Sequence, residues 1–277
     1  MTMKNHDEIR SEVRNHYSSI ARGATPGCCG GATVDSEQVG YSKEQLSAAP
    51  AGANLGLGCG NPQAIASLRP GETVVDLGAG GGFDAFLAAR SVGPTGQVIG
   101  VDMSADMVHL ARANAKKHGT TNVEFLLGEI EHPPVGDGVA DVVMSNCVIN
   151  LSPDKPAVYQ EAFRMLRPGG RLAISDVVEL KPMPAEIADD ISALCGCVAG
   201  AAGVGQLISL LTTIGFADVK IELEPGSREV IASWAPGRKF EDYVASAKIT
   251  ATRPLTVTTG SDVKKPAAAC CPAGCCA

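Results

Sequence analysis

The chain has 277 residues, with 23 Lys and Arg against 30 Asp and Glu, a net charge of −7 and only 4% aromatic residues. That length can bury one large core with a smaller unit appended, while the acidic balance and the scarcity of rings exclude the basic surface and stacking platforms of a nucleic-acid or anionic-membrane partner. The opening Met1-Thr2-Met3-Lys4-Asn5-His6-Asp7 lacks the apolar core of a signal peptide, and the weakly polar stretch over 193–205 is too short to span a bilayer, so a cytoplasmic location is expected.

In chain order, a helix is expected over 6–21, and the rest of residues 1–70 reads as irregular, cysteine-bearing loop. From Glu72 onward short apolar runs alternate with helical patterns, the signature of a parallel α/β sheet. Residues 73–77 form a first strand, 84–91 the helix after it and 97–101 a second strand; Ser104 then caps a helix carrying Met107, Leu110 and Ala111. Strands follow over 123–127, 140–144 and 171–175, with a helix over 155–166 that Pro168-Gly169-Gly170 ends. Beyond residue 181 come two helical segments, 184–199 and 206–214, and two strands, 218–222 and 246–251. Residues 256–277, rich in Ala, Pro, Lys and Cys, read as a flexible tail. The expected divisions are an N-terminal segment 1–70, a Rossmann-like core 71–180 with helices on both faces of a mostly parallel sheet, a small α+β substrate domain 181–255 and the tail 256–277.

Asp76-Leu77-Gly78-Ala79-Gly80-Gly81-Gly82 closes the first strand and opens a helix. Glycines there let the backbone turn sharply and approach a ligand without a Cβ in the way. The dinucleotide pattern would put glycine at position 83, where Phe83 stands; this separates a nucleoside-type ligand from a pyrophosphate, which needs open helix-terminal amides. Asp102 ends the second strand, placed to accept hydrogen bonds from both ribose hydroxyls. Glu129 and Ile130, after the third strand, stand where an adenine would be flanked. Together these point to S-adenosylmethionine rather than NAD(H). The cofactor-binding candidates are Asp76, Gly78, Ala79, Gly80, Gly82, Asp102, Met103, Glu129, Ile130 and Asn146.

No histidine or acidic pair announces a general base beside these strands; His109 and His118 fall on the solvated part of a helix and read as structural. Ten cysteines stand out instead. In a reducing compartment they favour metal binding or thiol chemistry over a static disulfide framework, and no zinc-ribbon spacing is present. Cys59 lies in Gly58-Cys59-Gly60-Asn61-Pro62, where Asn61 suits an N-cap and Pro62 the first helical position. A thiol just before a helix N-terminus meets the positive end of the dipole, which favours thiolate; an inert core cysteine is an equal reading. Cys147 lies just past the fourth strand, at the end of the sheet where ligands bind, and should face the methyl of the cofactor. Cys195 and Cys197, two apart in a helical segment, face different ways, so one reaches a shared site and the other is core. Cys28-Cys29, Cys270-Cys271 and Cys275-Cys276 are vicinal pairs suited to soft thiophiles or redox exchange, though an idle tail is an equal reading for the last four.

At these residues the chain resembles the arsenite S-adenosylmethionine methyltransferase family. The resemblance is carried by Leu57-Gly58-Cys59-Gly60-Asn61-Pro62, by the glycine turn through Phe83-Asp84, by Ser145-Asn146-Cys147-Val148-Ile149-Asn150-Leu151 and by Cys197-Val198-Ala199-Gly200-Ala201, and it runs from about Tyr17 to Pro254. The resemblance implies a class I methyltransferase fold. It also implies trivalent arsenic, delivered as arsenite or its thiol adduct, bound at Cys59, Cys147 and Cys197, with methylarsenite as a further substrate. A fourth thiol near the N-terminus, implied to form a transient disulfide with the first site cysteine, matches Cys29 or Cys28; Cys195 is left over as structural. The tail resembles the variable cysteine-rich tails of bacterial members. A thiol reductant, thioredoxin or glutathione, is implied as co-substrate, and a monomer is expected.

The chemistry is coherent. Trivalent arsenic is soft and suits three thiolates. Its lone pair is then left for in-line attack on an electrophilic methyl, which needs positioning rather than a base. Two other readings stand beside it: a methyltransferase for a small organic acceptor whose cysteines merely pack, and a non-catalytic metalloid-binding protein.

Overall fold

A computed structural model of the chain describes residues 5–24 and 34–255. The first helix, α1 (His6–Ala21), starts in a capping box: Asn5 Oδ1 accepts from Glu8 N at 2.8 Å and Glu8 Oε2 accepts from Asn5 N at 3.0 Å. Short helices α2 (Lys43–Ala48) and α3 (Pro62–Ala66) follow, then β1 (Thr73–Leu77), α4 (Phe83–Val92), β2 (Gln97–Asp102), α5 (Ala105–His118), β3 (Val123–Leu127), β4 (Ala140–Asn146), α6 (Lys155–Met165) and β5 (Leu166–Glu179). The chain continues through α7 (Ala185–Ala188), α8 (Ile191–Cys195), β6 (Ala202–Gly203), α9 (Val204–Ile214), β7 (Ala217–Leu223), α10 (Ser227–Trp234) and β8 (Val244–Thr252). The caps read from sequence are in place. Ser104 Oγ accepts from Met107 N at 3.2 Å, and Asn61 Oδ1 accepts from Gln63 N and Ala64 N with Pro62 opening α3.

One eight-stranded sheet organises the molecule, in the order β3-β2-β1-β4-β5-β8-β7, with β6 paired to β5. Strands β3 to β5 are mutually parallel, so the order reverses between β1 and β4 and a crevice opens beyond their carboxyl ends. Alternating hydrophobic faces bury two cores against the sheet, one with α6 and α9 and the other with α4 and α5. A third cluster caps the carboxyl ends and gathers Val13 of α1, Cys59, Cys147, Cys195, Cys197 and Trp234 of α10.

Three expectations differ from the structure. The segment after residue 180, expected as a separate domain, adds its strands to the main sheet: β8 runs antiparallel to β5 from Arg171↔Thr252 to Glu179↔Val244, and β7 pairs beyond it. The cause is the length of β5, 14 residues, which leaves a long unpaired edge for β8 to satisfy. Pro168-Gly169-Gly170 does not stand outside the strand but sits in an irregularity of β5, where the register with β4 jumps between Leu166 and Arg171. The helix expected over 184–199 is two short ones, because Asp190 caps a new start, accepting from Ser192 N at 2.7 Å, and Gly196 follows at once. No helix among the described residues is long and apolar enough to cross a membrane.

Candidate active site

Beyond the carboxyl ends of β1, β2 and β4 lies a cleft of about 1200 Å³, its open mouth included, floored by the glycine turn and roofed by α1. Gly78 (φ 76°) passes so close to the loop after β4 that a Cβ would stand 2.4 Å from Val148 Cγ2. Gly80 (φ 53°) is different: a Cβ there would meet nothing nearer than Met107 Sδ at 4.0 Å, so the bare backbone faces the cleft. Gly82 caps α4 and does not line the cleft; a Cβ on it would strike Phe86 and Phe125, which makes it a packing glycine. Ala79, Met103 and Ile130 line its walls.

Asp102 receives Gly80 N on Oδ2 at 2.9 Å and Ser104 N on Oδ1 at 2.8 Å, which fixes the carboxylate at the cleft wall with acceptor capacity left on both oxygens. Burial holds its pKa above the usual carboxylate range. Asp76, at the cleft floor, is pushed well up by burial first, then by the neighbouring Asp84 and Asp102, and its Oδ2 has no partner. An orphaned carboxylate oxygen beside an open glycine backbone, with a ribose-competent Asp102 opposite, fits a cationic nucleoside such as S-adenosylmethionine.

Glu129 does not line the cleft. It pairs with Arg14 at 2.9 Å and Arg10 at 3.4 Å on α1, while Glu131 forms the wall, accepting from Ser152 Oγ at 2.6 Å and Arg10 Nε at 3.2 Å. Arg10, Val13, Arg14 and Tyr17, the face of α1 over the cleft, recur at i, i+3, i+4 and i+7. That spacing is visible in the sequence, but not what it covers. His109 and His118 are exposed on α5, as expected.

The sequence block around Cys147 is a cross-linking device. Ser145 Oγ donates to Leu77 O at 2.8 Å and ties β4 to β1. Asn146 accepts from Cys59 N at 3.2 Å, and its Nδ2 lies 2.8 Å from Gly60 O, 2.9 Å from Tyr41 Oη and 3.1 Å from Asp84 Oδ2, so it holds the Gly58–Gly60 loop against the sheet. Tyr41 in turn donates to Asp84 Oδ1 at 2.7 Å. Asn150 donates to Val177 O at 2.6 Å, Asp176 Oδ1 at 2.9 Å and Cys197 O at 3.2 Å, and so holds the turn after α8. Cys147 thus lies between two asparagines, each of which ties down the backbone of one other cysteine. Asn146 also touches the cleft, but its hydrogen bonds serve the Cys59 loop.

Cys147 (φ 57°) and Cys197 (φ 63°) both occupy the left-handed region that bulky residues avoid, held there by Cys147 N donating to Ser175 O and Cys197 N to Leu194 O, each 2.8 Å. The Cys197 thiol donates to Cys147 O at 2.6 Å. The Cys197 and Cys59 thiols, followed by burial, push the Cys147 thiol well above its ordinary pKa. Cys147 and Cys197 line the large cleft; Cys59 lines a smaller cavity, with Glu37, Glu224 and Ser227. The helix after Cys59 has only five residues, so any dipole effect on that thiol is small. Cys195 is buried outside both cavities, its carbonyl accepting from Tyr17 Oη at 3.0 Å. Cys28, Cys29 and the tail cysteines lie outside the described residues.

Two groups here carry no signal in the sequence. Asp176, 2% exposed, has a carboxylate oxygen within 4.8 Å of the Cys59 and Cys147 sulfurs, and burial raises it to about 7. Lys155 feels the charges of Asp176, Cys197 and Glu131, but burial outweighs them and lowers its pKa.

The sheet order and this cleft define a methyltransferase of the Rossmann-like class, and the methyltransferase domain family matches residues 68–224. The arsenite methyltransferase of Halobacterium salinarum is 46% identical over 264 residues, covering 90% of this chain and 67% of its own length. That of Homo sapiens is 32% identical over 222 residues, covering 76% of this chain and 58% of its own. A crystal structure of an arsenic(III) S-adenosylmethionine methyltransferase from Chlamydomonas reinhardtii superposes with a TM-score of 0.59 at 32% identity, covering 81% of this chain and 73% of that one. This chain belongs to the arsenite methyltransferase family. It spans about two thirds of the Halobacterium relative and less than two thirds of the human one.

Proposed function

We propose that the chain moves a methyl group from S-adenosylmethionine to trivalent arsenic held by Cys59, Cys147 and Cys197. The observation that carries this reading is the meeting of the Cys147 thiol with those of Cys59 and Cys197, at the wall of the cleft that Asp76, Gly80 and Asp102 prepare for the donor. When bound, the donor supplies an electrophilic methyl on a positively charged sulfur.

The chain's own residues do the rest. Asp102 and the Gly80 backbone take the nucleoside, and the unpartnered Asp76 oxygen compensates positive charge once the bound cation draws off the proton that burial holds there. Ligand exchange with arsenite balances from protonated thiols, Cys147 among them: each thiol proton leaves with a displaced hydroxide as water, or with a displaced thiolate as thiol. Arsenic bound through three sulfurs keeps one lone pair for the methyl, so no general base is required and the contribution of the protein is alignment. Formation of the As–C bond formally oxidises the arsenic by two electrons. A dithiol or two thiols, oxidised to a disulfide, return it to the trivalent state; thioredoxin or glutathione would supply them, with Cys28 or Cys29 as relay.

The test is speciation of arsenic after incubation of purified chain with arsenite, S-adenosylmethionine and a thiol reductant. Methylated arsenic in amounts exceeding the enzyme is expected. Tight arsenite binding with no methylated product would make the chain a metalloid-binding protein instead, and retention of arsenite methylation after Cys59, Cys147 and Cys197 are all changed to Ser would remove the thiols from the mechanism.

A further inference from the structure

The reaction above uses three sulfurs and leaves Asp176 without a task. Its carboxylate is almost wholly buried and makes no salt bridge among the described residues; Lys155, whose charge acts on it, donates instead to Ser152 O at 3.2 Å. Buried charge without a counter-ion is costly and is normally offset by a cation. Oδ1 is occupied by Val177 N at 2.8 Å and Asn150 Nδ2 at 2.9 Å, Oδ2 takes Asn150 N at the long distance of 3.3 Å, and Ile149 N also bonds the carboxylate; these are four donors, none of them a cation. A carboxylate oxygen with no cation bonded to it therefore shares one small space with the Cys59 and Cys147 sulfurs, each within 4.8 Å of the others, and Cys197 borders it.

From this juxtaposition we infer that the thiol centre is also a site for thiophilic divalent cations, Zn²⁺ or Cd²⁺, in which Asp176 supplies the fourth donor. Trivalent arsenic ends its coordination at three sulfurs because its lone pair occupies the remaining side. A d¹⁰ dication has no such lone pair and closes a tetrahedron, for which three sulfurs and one oxygen are a fitting set. Three thiols lose their protons to solvent on binding, and the dication with nearby Lys155 balances most of the resulting negative charge. Because the same sulfurs serve both, Zn²⁺ or Cd²⁺ excludes arsenite and shuts off its methylation. The inference needs only the thiols and the carboxylate, and holds whichever acceptor is methylated.

The test uses the full chain with Cys28, Cys29, Cys270, Cys271, Cys275 and Cys276 changed to Ser, so that outlying thiols do not chelate. Titration with Zn²⁺ against a chromophoric chelator is expected to show one site per chain, weakened about tenfold or more by Asp176→Asn and further by Cys147→Ser. Arsenite added first should block uptake. Equal Zn²⁺ affinity in the parent and Asp176→Asn chains, or simultaneous binding of arsenite and Zn²⁺, would overturn the inference. Should Asp176→Asn fail to fold, the ¹¹³Cd chemical shift of the Cd²⁺-loaded parent decides: a three-sulfur, one-oxygen shift supports it, and any other donor set refutes it. Arsenite methylation failing in the chain with all ten cysteines, while Zn²⁺ binds the six-Ser chain, would remove the proposed function and leave this site standing.

Discussion

Asn146→Ala separates the thiol site from the donor site. The side chain accepts from Cys59 N at 3.2 Å and donates toward Gly60 O, Tyr41 Oη and Asp84 Oδ2 at 2.8–3.1 Å. With two amide hydrogens and one acceptor it makes about three full hydrogen bonds, each of about 1 kcal/mol net, and the buried partners it leaves add to the loss. The chain should therefore lose about 3 kcal/mol of stability in urea unfolding, with the Gly58–Gly60 loop the first part to loosen. If about half of that loss falls on the loop, arsenite affinity drops about tenfold. Trp234, the sole tryptophan, is buried in the same cluster as Cys59, Cys147 and Cys197, so quenching of its fluorescence by arsenite reports the change. Donor affinity, measured by calorimetry, should move less than about threefold, since the Gly80 and Asp102 contacts are untouched. An equal loss of donor affinity would refute the positioning role and put Asn146 on the cofactor.

Asp102→Ala removes the acceptor that holds Gly80 N and Ser104 N and would take the ribose; donor affinity should fall about ten- to a hundredfold in calorimetry, and an unchanged constant would refute the assignment. Asp76→Asn should split stability from binding. Burial and the nearby Asp84 and Asp102 raise the folded-state pKa of Asp76, so the native chain keeps a proton that the unfolded chain releases from about pH 4 upward, and this group costs stability as pH rises. The variant should accordingly gain stability over the parent near pH 7, gain nothing below about pH 4, and bind the cationic donor less well; a gain that is flat with pH would rule out that cause. Gly78→Val sets a β-branched side chain at φ 76° against Val148 and should leave little folded protein in expression trials, whereas Gly80→Ala should fold and lose donor affinity.

Much of this arrangement is legible in the sequence. Short apolar runs locate β1 to β4, and the caps at Asn61 and Ser104 are local chemistry that any window of four residues displays. Cys147 is legible because a residue just past a parallel strand must face the crevice. The rest depends on partners far apart along the chain. Asn146 and Cys59 are separated by 87 residues, Arg10 and Glu131 by 121, and no local pattern says that Glu131 rather than Glu129 turns inward. The strands after residue 180 read as a separate unit because nothing in β5 alone announces a long edge that another strand must cover. Asp176 is an ordinary strand residue in sequence, and becomes chemical only where β5 carries it beside the Cys59 and Cys147 thiols.

Whether Cys59, Cys147 and Cys197 hold one arsenic together can be read from the metalloid itself. Arsenic-edge X-ray absorption serves, on the chain with the six outlying cysteines changed to Ser and loaded with one equivalent of arsenite. A first shell of three sulfurs and no oxygen is expected, reduced to two sulfurs by Cys197→Ser and equally by Cys59→Ser. A shell of two sulfurs and an oxygen in the parent chain, or one that Cys197→Ser leaves unchanged, would refute a shared three-thiolate site.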